Sequence, residues 1–363
     1  MNGSQKIGVN NMPSPSITIA GRKIGVDETP YIIAELSANH NGNFEIAKRI
    51  IEEAKKSGAD AIKLQTYTAD TITLDCDSPD FKISGGLWDG RTLYELYQEA
   101  HMPWEWHAPL FDYARKLNIT IFSSPFDNTA VDLLEGLNAP AYKIASFEAI
   151  DLPLIKYVAS TGKPMIISTG MADAEEIAEA IEAAREGGCK ELAILHCVSG
   201  YPAPAHDYNL RTIPDMIQRH GLVTGLSDHT LDNTTAITSV ALGASIIEKH
   251  FTLDRSGGGP DDSFSLEPAE LVALCRDSKT AWAALGKVDY ARKSSEQGNM
   301  QFRRSLYFVR NLKAGEVITA DSVRSVRPGF GLHPKLMGSV VGSLTTRDID
   351  KNTPVKMNDF YVK

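Results

Sequence analysis

Eight short apolar segments rich in β-branched residues alternate with segments of helical periodicity, and this alternation constrains the fold more than any other feature. The eight segments cover residues 31–36, 61–66, 119–125, 141–146, 164–170, 192–198, 223–228 and 245–251. Strands that are apolar on both faces are typical of a buried parallel sheet. Eight such strands, each followed by a helix, over about 250 residues predict an α/β fold, a (β/α)8 TIM barrel.

The intervening segments carry helix start and stop signals. Residues 44–58 place apolar side chains on one face and end on glycine, and residues 173–188 begin with aspartate and end on glycine. Residues 267–286 follow the last strand, with proline suited to a first helical turn. An open, doubly wound sheet is the alternative fold, but it would usually show a Gly-rich phosphate loop where ELSANHNG follows the first strand.

Two departures from the regular pattern indicate further parts. The segment between the second and third strands, residues 67–118, is longer than one crossover and contains SGGLWDG, which predicts a loop inserted at the barrel mouth. After residue 286 the helical pattern stops, and a polar stretch precedes short strands and turns. We therefore expect an N-terminal lead-in at residues 1–28, a barrel at 29–286, a linker at 287–302 and a small β-rich domain at 303–363.

Composition limits the classes of function. The net charge of −9 argues against a nucleic-acid surface, and the sequence has neither a run of ~18 apolar residues nor a signal-peptide pattern at its start. Four scattered cysteines lack metal-binding or disulfide spacing, which favours a cytoplasmic protein with no membrane partner. Residues 286–363 carry a net charge of +7 and the remainder −16, so tail and body should attract each other, unless both are simply solvated surfaces.

Polar residues collect where the predicted strands end, a set of positions called the rim below. Because the strands of a barrel are parallel, their carboxyl ends form one face, where barrel enzymes carry their catalytic residues. Lys63 and Lys143, with nearby serines, suit a phosphate or carboxylate group. His229 and His250 lie beside carboxylates on adjacent strands and suit a shared divalent metal.

Structural roles remain open for each of these residues taken alone. A buried lysine can simply pair with a glutamate, and serines at strand ends commonly cap the next helix. A single histidine is more often a hydrogen-bonded structural residue, which is our interpretation of His196 within its strand. The gathering of both charge types on one rim favours an enzyme that handles an anionic substrate with a metal.

Several motifs are similar to those of a known family. AELSANHNG, KLQTYT, SSPF, YKIASFE, STGM, GLSDHT and IEKHF, in this order, resemble the sialic acid synthase family. RSLYFVRNLKAGEVITADSVRSVRPG resembles the SAF (antifreeze-like) domain that ends its members. The resemblance implies a transferase that condenses phosphoenolpyruvate with an acetamido sugar to give a nine-carbon 2-keto acid and phosphate.

The resemblance also implies roles for individual residues. His229 and His250 would bind a divalent metal, manganese, with magnesium or cobalt as alternatives. The residues expected around phosphoenolpyruvate are Lys63, Lys143, Ser146, Ser168, Ser199 and Ser227. Those expected to face the sugar or the metal are Gln65, Tyr201, Glu248 and Asp261. Glu35 is the preferred base, Glu148 the second choice, and Arg327 would reach the sugar in the partner subunit of a domain-swapped homodimer.

The acceptor is the least constrained part of this expectation. ELSANHNG, DFKISGGLWDGRTLYELY and SVRPGFGLHPK resemble the branch that uses 2,4-diacetamido-2,4,6-trideoxy-L-altrose. Ser199 replaces a common asparagine and Ser124 a common threonine, which counts against a neuraminate-type acceptor. The alternatives are a synthase of N-acetylneuraminic or legionaminic acid, another metal-dependent barrel enzyme such as an aldolase, and a non-catalytic carbohydrate-binding or antifreeze-like protein.

Overall fold

Eight parallel strands close into a barrel in the computed structural model, which describes residues 14–361. The strands are β1 Ser16–Ile19, β2 Arg22–Gly25, β3 Tyr31–Glu35, β4 Ala61–Thr66, β5 Thr120–Pro125, β6 Tyr142–Ile144, β7 Met165–Ser168, β8 Leu192–Cys197, β9 Val223–Asp228, β10 Ile246–His250, β11 Ser305–Phe308 and β12 Val323–Val326. Strands β3 to β10 form the barrel in chain order, and β10 pairs with β3 to close it. The predicted TIM barrel is confirmed, with every barrel strand inside a predicted segment.

Helices cover the outside of the barrel. They are α1 Phe44–Ser57, α2 Ala69–Ile72, α3 Leu93–Ala100, α4 Trp104–Leu117, α5 Asn128–Gly136, α6 Leu152–Ser160, α7 Ala174–Glu186, α8 Thr212–His220, α9 Thr234–Ala241 and α10 Pro268–Leu285. A further helix, α11 Met337–Val340, lies in the C-terminal part of the chain and is not part of the barrel. The Asn43 side chain caps the start of α1, and Gly58, at φ 90°, ends it in the left-handed conformation that glycine adopts without strain. Both ends of α1 are therefore set by residues within the local sequence.

The segment between β4 and β5 contains more than a crossover helix. Helix α4 connects the two strands, while α2, α3 and the loop between them form an insertion. The indole N–H of Trp88 in this loop donates a hydrogen bond to the carbonyl of Pro260, which follows β10. The insertion therefore lies at the carboxyl end of the barrel, as the sequence predicted.

A β-hairpin closes the opposite end of the barrel. Ile17 and Ile19 of β1 and Ile24 of β2 are buried in one cluster with residues at the amino-terminal ends of the strands, including Tyr31 and Ile246. Burying each isoleucine contributes roughly 1.5–3 kcal/mol. Within the expected lead-in at 1–28, residues 16–25 form this hairpin because the distant barrel supplies their buried partners. Residues 1–13 of that lead-in lie outside the described residues.

The chain divides after Gly286 into two compact units. In the second unit, residues Ser294–Phe302 of the expected linker form exposed 3-10 turns, and β11 pairs antiparallel with β12. Leu306, Phe308 and Ile318 belong to a separate apolar core in this unit. Within residues 14–361, no helix combines the length and the apolar character needed to cross a membrane.

Candidate active site

The barrel places most of the predicted site residues on one rim. Glu35 ends β3, Ser168 ends β7 and His250 ends β10. The other strand-borne residues are Lys63 and Gln65 on β4, Lys143 on β6, Ser227 on β9 and Glu248 on β10. Because all eight strands run parallel, these side chains meet at the same end of the barrel.

Two lysines and two glutamates form a buried network there. Lys63 Nζ lies 2.8 Å from Glu35 Oε2 and 3.8 Å from Glu248 Oε1. Lys143 Nζ lies 3.2 Å from the same Glu248 oxygen, to which the Ser227 hydroxyl also donates. The alternative that a buried lysine pairs with a glutamate is therefore correct for both. Lysine has three N–H donors, and Glu248 is the acceptor found for Lys143 among the described residues, so donors remain for an anion.

The same network separates the pKa values of its carboxyl groups. Burial raises the pKa of Glu35 to about 7, even though the Lys63 ammonium acts in the opposite direction. Burial also acts on Glu248, but the Lys143 and Lys63 ammoniums outweigh it and hold its pKa below the ordinary value. Near neutral pH, Glu248 is thus a fixed negative charge, whereas Glu35 can take up and release a proton.

Three serines, Ser146, Ser168 and Ser199, lie at or just beyond the carboxyl ends of β6, β7 and β8. The Ser146 hydroxyl accepts a hydrogen bond of 3.2 Å from the backbone N–H of Gly170, and a Cβ added to Gly170 would collide with both Ser146 and Ser199. The Ser168 hydroxyl is buried and has no hydrogen-bond partner within residues 14–361. These hydroxyls lie at the same end of the barrel as Lys143, so together they can provide donors for a phosphate group.

The rings of His229 and His250 are adjacent, with centroids 5.4 Å apart and an angle of 61° between their planes. His229 Nδ1 lies 2.8 Å from the carbonyl oxygen of Val198; a carbonyl can only accept, so Nδ1 carries a hydrogen and Nε2 is the nitrogen left to bind a metal. His250 Nδ1 is buried, with no hydrogen-bond partner in the described chain. Burial and the neighbouring His229 hold the pKa of His250 well below its ordinary value, so its imidazole is neutral.

This pair fits a divalent metal. Although burial acts to lower it, the neighbouring Cys197 holds the pKa of His229 above its ordinary value, so a metal at the pair would displace any proton from its Nε2. Asp261 is the nearest carboxylate, with Oδ2 3.8 Å from His250 Nδ1. Across residues 14–361, no group of three or more histidine, cysteine or acidic side chains is arranged to hold an ion. A metal at the pair would therefore complete its coordination with oxygen atoms from water or substrate, as open catalytic sites do.

A cleft with about 870 Å³ of empty space opens over this rim. It is lined by Gln65, Ser146, Glu148, Tyr201, His250 and Asp261 among the predicted residues. Burial raises the pKa of Glu148 to about 7, and one of its carboxylate oxygens is buried without a hydrogen-bond partner inside the described chain. Glu148 is therefore a second group that can exchange a proton near neutral pH.

Sequence reasoning missed two residues that order this site. The Ser37 hydroxyl donates to Asp261 at 2.5 Å and accepts from Gln65 at 2.9 Å, and its position two residues beyond Glu35 was the available signal. Lys249 Nζ, on β10 between Glu248 and His250, donates to Asp228 Oδ2 at 2.8 Å and to the Thr230 carbonyl at 2.7 Å. It thereby ties the loop after β9 to β10.

His196 and Arg327 complete the predicted positions. His196 Nε2 is hydrogen-bonded to the Tyr208 carbonyl, so its structural interpretation is confirmed. Arg327 directly follows β12 in the second unit and is exposed.

Fold and rim together define a TIM-barrel enzyme that handles an anionic substrate. Comparison with known families makes this specific: the chain belongs to the NeuB family, whose profile matches residues 50–290, and residues 303–360 match the SAF domain. Pseudaminic acid synthase of Campylobacter jejuni (strain 81-176) is 44% identical over 92% of this chain and 97% of its own. Its Helicobacter pylori counterpart is 42% identical over 92% and 98%. The crystal structure of an N-acetylneuraminic acid synthetase from Leptospira borgpetersenii superposes with a TM-score of 0.71 at 31% identity, covering 80% of this chain and 96% of that one.

Proposed function

We propose that this protein condenses phosphoenolpyruvate with 2,4-diacetamido-2,4,6-trideoxy-L-altrose to give pseudaminic acid and inorganic phosphate. The 44% identity to a pseudaminic acid synthase over nearly the whole of both chains supports the acceptor. The observation that carries the chemistry is the rim itself, where two buried lysine–glutamate pairs and two adjacent imidazoles lie at one end of the barrel.

Phosphoenolpyruvate binds, in this proposal, to the lysines and serines. Lys143, Ser146, Ser168, Ser199 and Ser227 hold its phosphate, and Lys63 holds its carboxylate. The spare donors of Lys143 and the unpartnered hydroxyl of Ser168 support this assignment. Charge-assisted hydrogen bonds of this kind are about twice as strong as neutral ones.

His229 and His250 would hold the divalent metal, with manganese proposed first and magnesium or cobalt as alternatives. When bound, the metal supplies Lewis-acid polarisation of the acceptor's aldehyde oxygen. Asp261 is placed to orient His250 and the sugar, because it lies beside that ring and is itself held by Ser37. Gln65, hydrogen-bonded to both Ser37 and Glu35, faces the same space.

The rim residues then hold the two reactants face to face, because the alkene carbon C3 of phosphoenolpyruvate is a weak nucleophile. C3 attacks C1 of the open-chain sugar, and the developing positive charge at C2 is stabilised by nearby carboxylates such as Glu248. Glu35 accepts a proton from the water that adds at C2. The resulting tetrahedral centre loses its hydroxyl proton as its C–O bond to phosphate breaks, which gives the 2-keto acid with no covalent enzyme intermediate. Of the two protons of the added water, one ends on the former aldehyde oxygen, which becomes a hydroxyl, and one on the released phosphate.

Product analysis tests this function directly. The protein is incubated with phosphoenolpyruvate, manganese and each of three acceptors, and phosphate release and product mass are measured. We expect pseudaminic acid from the altrose derivative. Preferential turnover of the acceptor for N-acetylneuraminic or legionaminic acid would reassign the substrate, and no phosphate release with any sugar would favour a non-catalytic carbohydrate-binding protein.

Replacing Glu35 with glutamine tests the proposed base. Because Glu35 has a pKa of about 7, wild-type kcat should fall as the pH drops below about 7 and the carboxylate becomes protonated. Glu35→Gln should lower kcat about 100-fold and remove this dependence on pH. Glu148→Gln is the matched control, since its carboxyl has a similar pKa. A larger fall in kcat in Glu148→Gln than in Glu35→Gln would make Glu148 the base in place of Glu35.

Arg327 is proposed to bind the acceptor from the second subunit of a domain-swapped homodimer. Arg327→Ala should raise KM for the sugar roughly 10- to 100-fold, since a hydrogen bond to a charged group contributes about 1.5–3 kcal/mol. Co-expression of Arg327→Ala chains with His250→Ala chains tests the domain swap. In a mixed dimer, the intact barrel of the Arg327→Ala chain would receive the intact Arg327 of the His250→Ala chain. Recovery of about a quarter of wild-type activity is expected from random pairing. An unchanged sugar KM would remove Arg327 from the site.

A further inference from the structure

The cleft has two chemically different walls. The wall nearest the rim is polar and contains Gln65, Glu148 and Asp261. The apolar wall contains Ile72, Trp88, Leu96 and Ala100, together with the Tyr97 ring, and all five belong to the insertion between β4 and α4. None of the five carries a charge, so the insertion adds to the apolar surface that Phe126 and Phe147 give the cleft.

Trp88 fixes this apolar wall relative to the histidine pair. Its indole N–H donates to the Pro260 carbonyl at 3.2 Å, in the loop that follows β10. Its ring lies 5.9 Å from the Tyr201 ring, which in turn lies 4.5 Å from the ring of His229. The wall is thus held at a set position, and the hydrogen-bond donor of Trp88 is already occupied.

The order of atoms in the acceptor decides which part of it can meet this wall. The reacting aldehyde carbon C1 must lie at the polar rim, beside His229 and His250. In an open-chain hexose, C6 is the carbon farthest along the chain from C1. In the proposed acceptor C6 is a methyl group, whereas in a 6-hydroxylated sugar it carries a hydroxyl that would lose water at an apolar surface.

We propose that the insertion determines acceptor specificity by receiving the C6 methyl group of the sugar against Ile72, Trp88 and Leu96. This inference rests on the proposed function and adds the residues that select a 6-deoxy sugar. A hydrophobic surface discriminates by about 10- to 200-fold for a group of this size. The wild-type protein should therefore prefer the 6-deoxy acceptor over its 6-hydroxyl analogue by a factor in that range.

Two acceptors that differ only at C6 provide the test: 2,4-diacetamido-2,4,6-trideoxy-L-altrose and 2,4-diacetamido-2,4-dideoxy-L-altrose. The measured quantity is the ratio of their kcat/KM values. Trp88→Ala and Ile72→Thr should each reduce the wild-type ratio at least about fivefold. Trp88→Phe, which keeps an apolar ring, should retain most of it. Leu87→Ala changes an exposed neighbour that does not line the cleft and should leave the ratio unchanged.

An unchanged KM for phosphoenolpyruvate shows that each variant keeps an intact rim. A wild-type ratio within twofold of one, or an undiminished ratio in both Trp88→Ala and Ile72→Thr, would overturn the inference. If neither altrose is a substrate, N-acetylmannosamine and its 6-deoxy form replace them. If the second pair is turned over and its kcat/KM ratio falls in the Trp88→Ala and Ile72→Thr variants, the proposed acceptor is rejected but the role of the apolar wall is supported. If neither pair is turned over, the proposed acceptor and the role of the wall are both rejected.

Discussion

Replacing His250 with alanine should abolish metal binding and turnover together. The His250 imidazole is held neutral by burial and by His229, which is the state that a metal ligand requires. With one of two imidazoles removed, the remaining His229 is an insufficient ligand set. Lewis-acid polarisation contributes several kcal/mol, and each 1.36 kcal/mol is a factor of ten, so kcat should fall by at least ~10³-fold.

Metal binding is measured independently of activity, by titrating manganese into chelator-treated protein and following free Mn²⁺ by electron paramagnetic resonance. His206→Ala is the matched control, because His206 also lies on the carboxyl side of the barrel but is 83% exposed in its side chain. It should bind metal and turn over as the wild type does. A His250→Ala protein that keeps wild-type turnover in the presence of chelator would disprove the metal assignment.

The barrel and its rim were predictable because both depend on local patterns. Each strand is a short apolar run, and parallel strands necessarily end on one face, so Glu35, Lys63 and His250 could be placed together without knowledge of any distance. The pairing within the rim was not predictable in the same way. Whether Lys63 contacts Glu35 or Glu248 depends on side-chain geometry, and the structure gives it both at different distances.

The features that the sequence did not predict depend on contacts between distant parts of the chain. Ser37 and Asp261 are 224 residues apart, and Trp88 and Pro260 are 172 apart, yet both pairs are hydrogen-bonded. The β1–β2 hairpin was missed for a related reason, since its four-residue strands are stabilised by burial against residues such as Ile246. SGGLWDG predicted an insertion at the mouth, but the side chains it presents to the cleft depend on how α3 packs.

Lys249→Met should cause the largest loss of stability of any substitution considered. The Lys249 ammonium and the Asp228 carboxylate are 2.8 Å apart, and both are almost fully buried, at 2% and 1% exposure. Removing the ammonium leaves a buried carboxylate without its counter-charge, which costs about 3–5 kcal/mol. It also releases the Thr230 and Asp232 carbonyls in the loop that directly follows His229. We therefore expect weaker manganese binding as well as a lower free energy of unfolding, measured in urea.

A lysine-to-methionine substitution at an exposed ion pair of the barrel is the control. It separates the cost of leaving a buried carboxylate unpaired from the cost of losing an ion pair at the surface. Lys156 and Glu186 lie 2.7 Å apart with about half of each side chain exposed, so Lys156→Met should cost less than ~1 kcal/mol. The double variant Asp228→Asn/Lys249→Met removes both buried charges and keeps an amide oxygen to accept from the Thr230 backbone N–H. It should recover much of the lost stability, because the uncompensated charge is the main cost. Equal destabilisation by Lys249→Met and Lys156→Met would show that burial of the Lys249–Asp228 pair does not hold the β9 and β10 ends together.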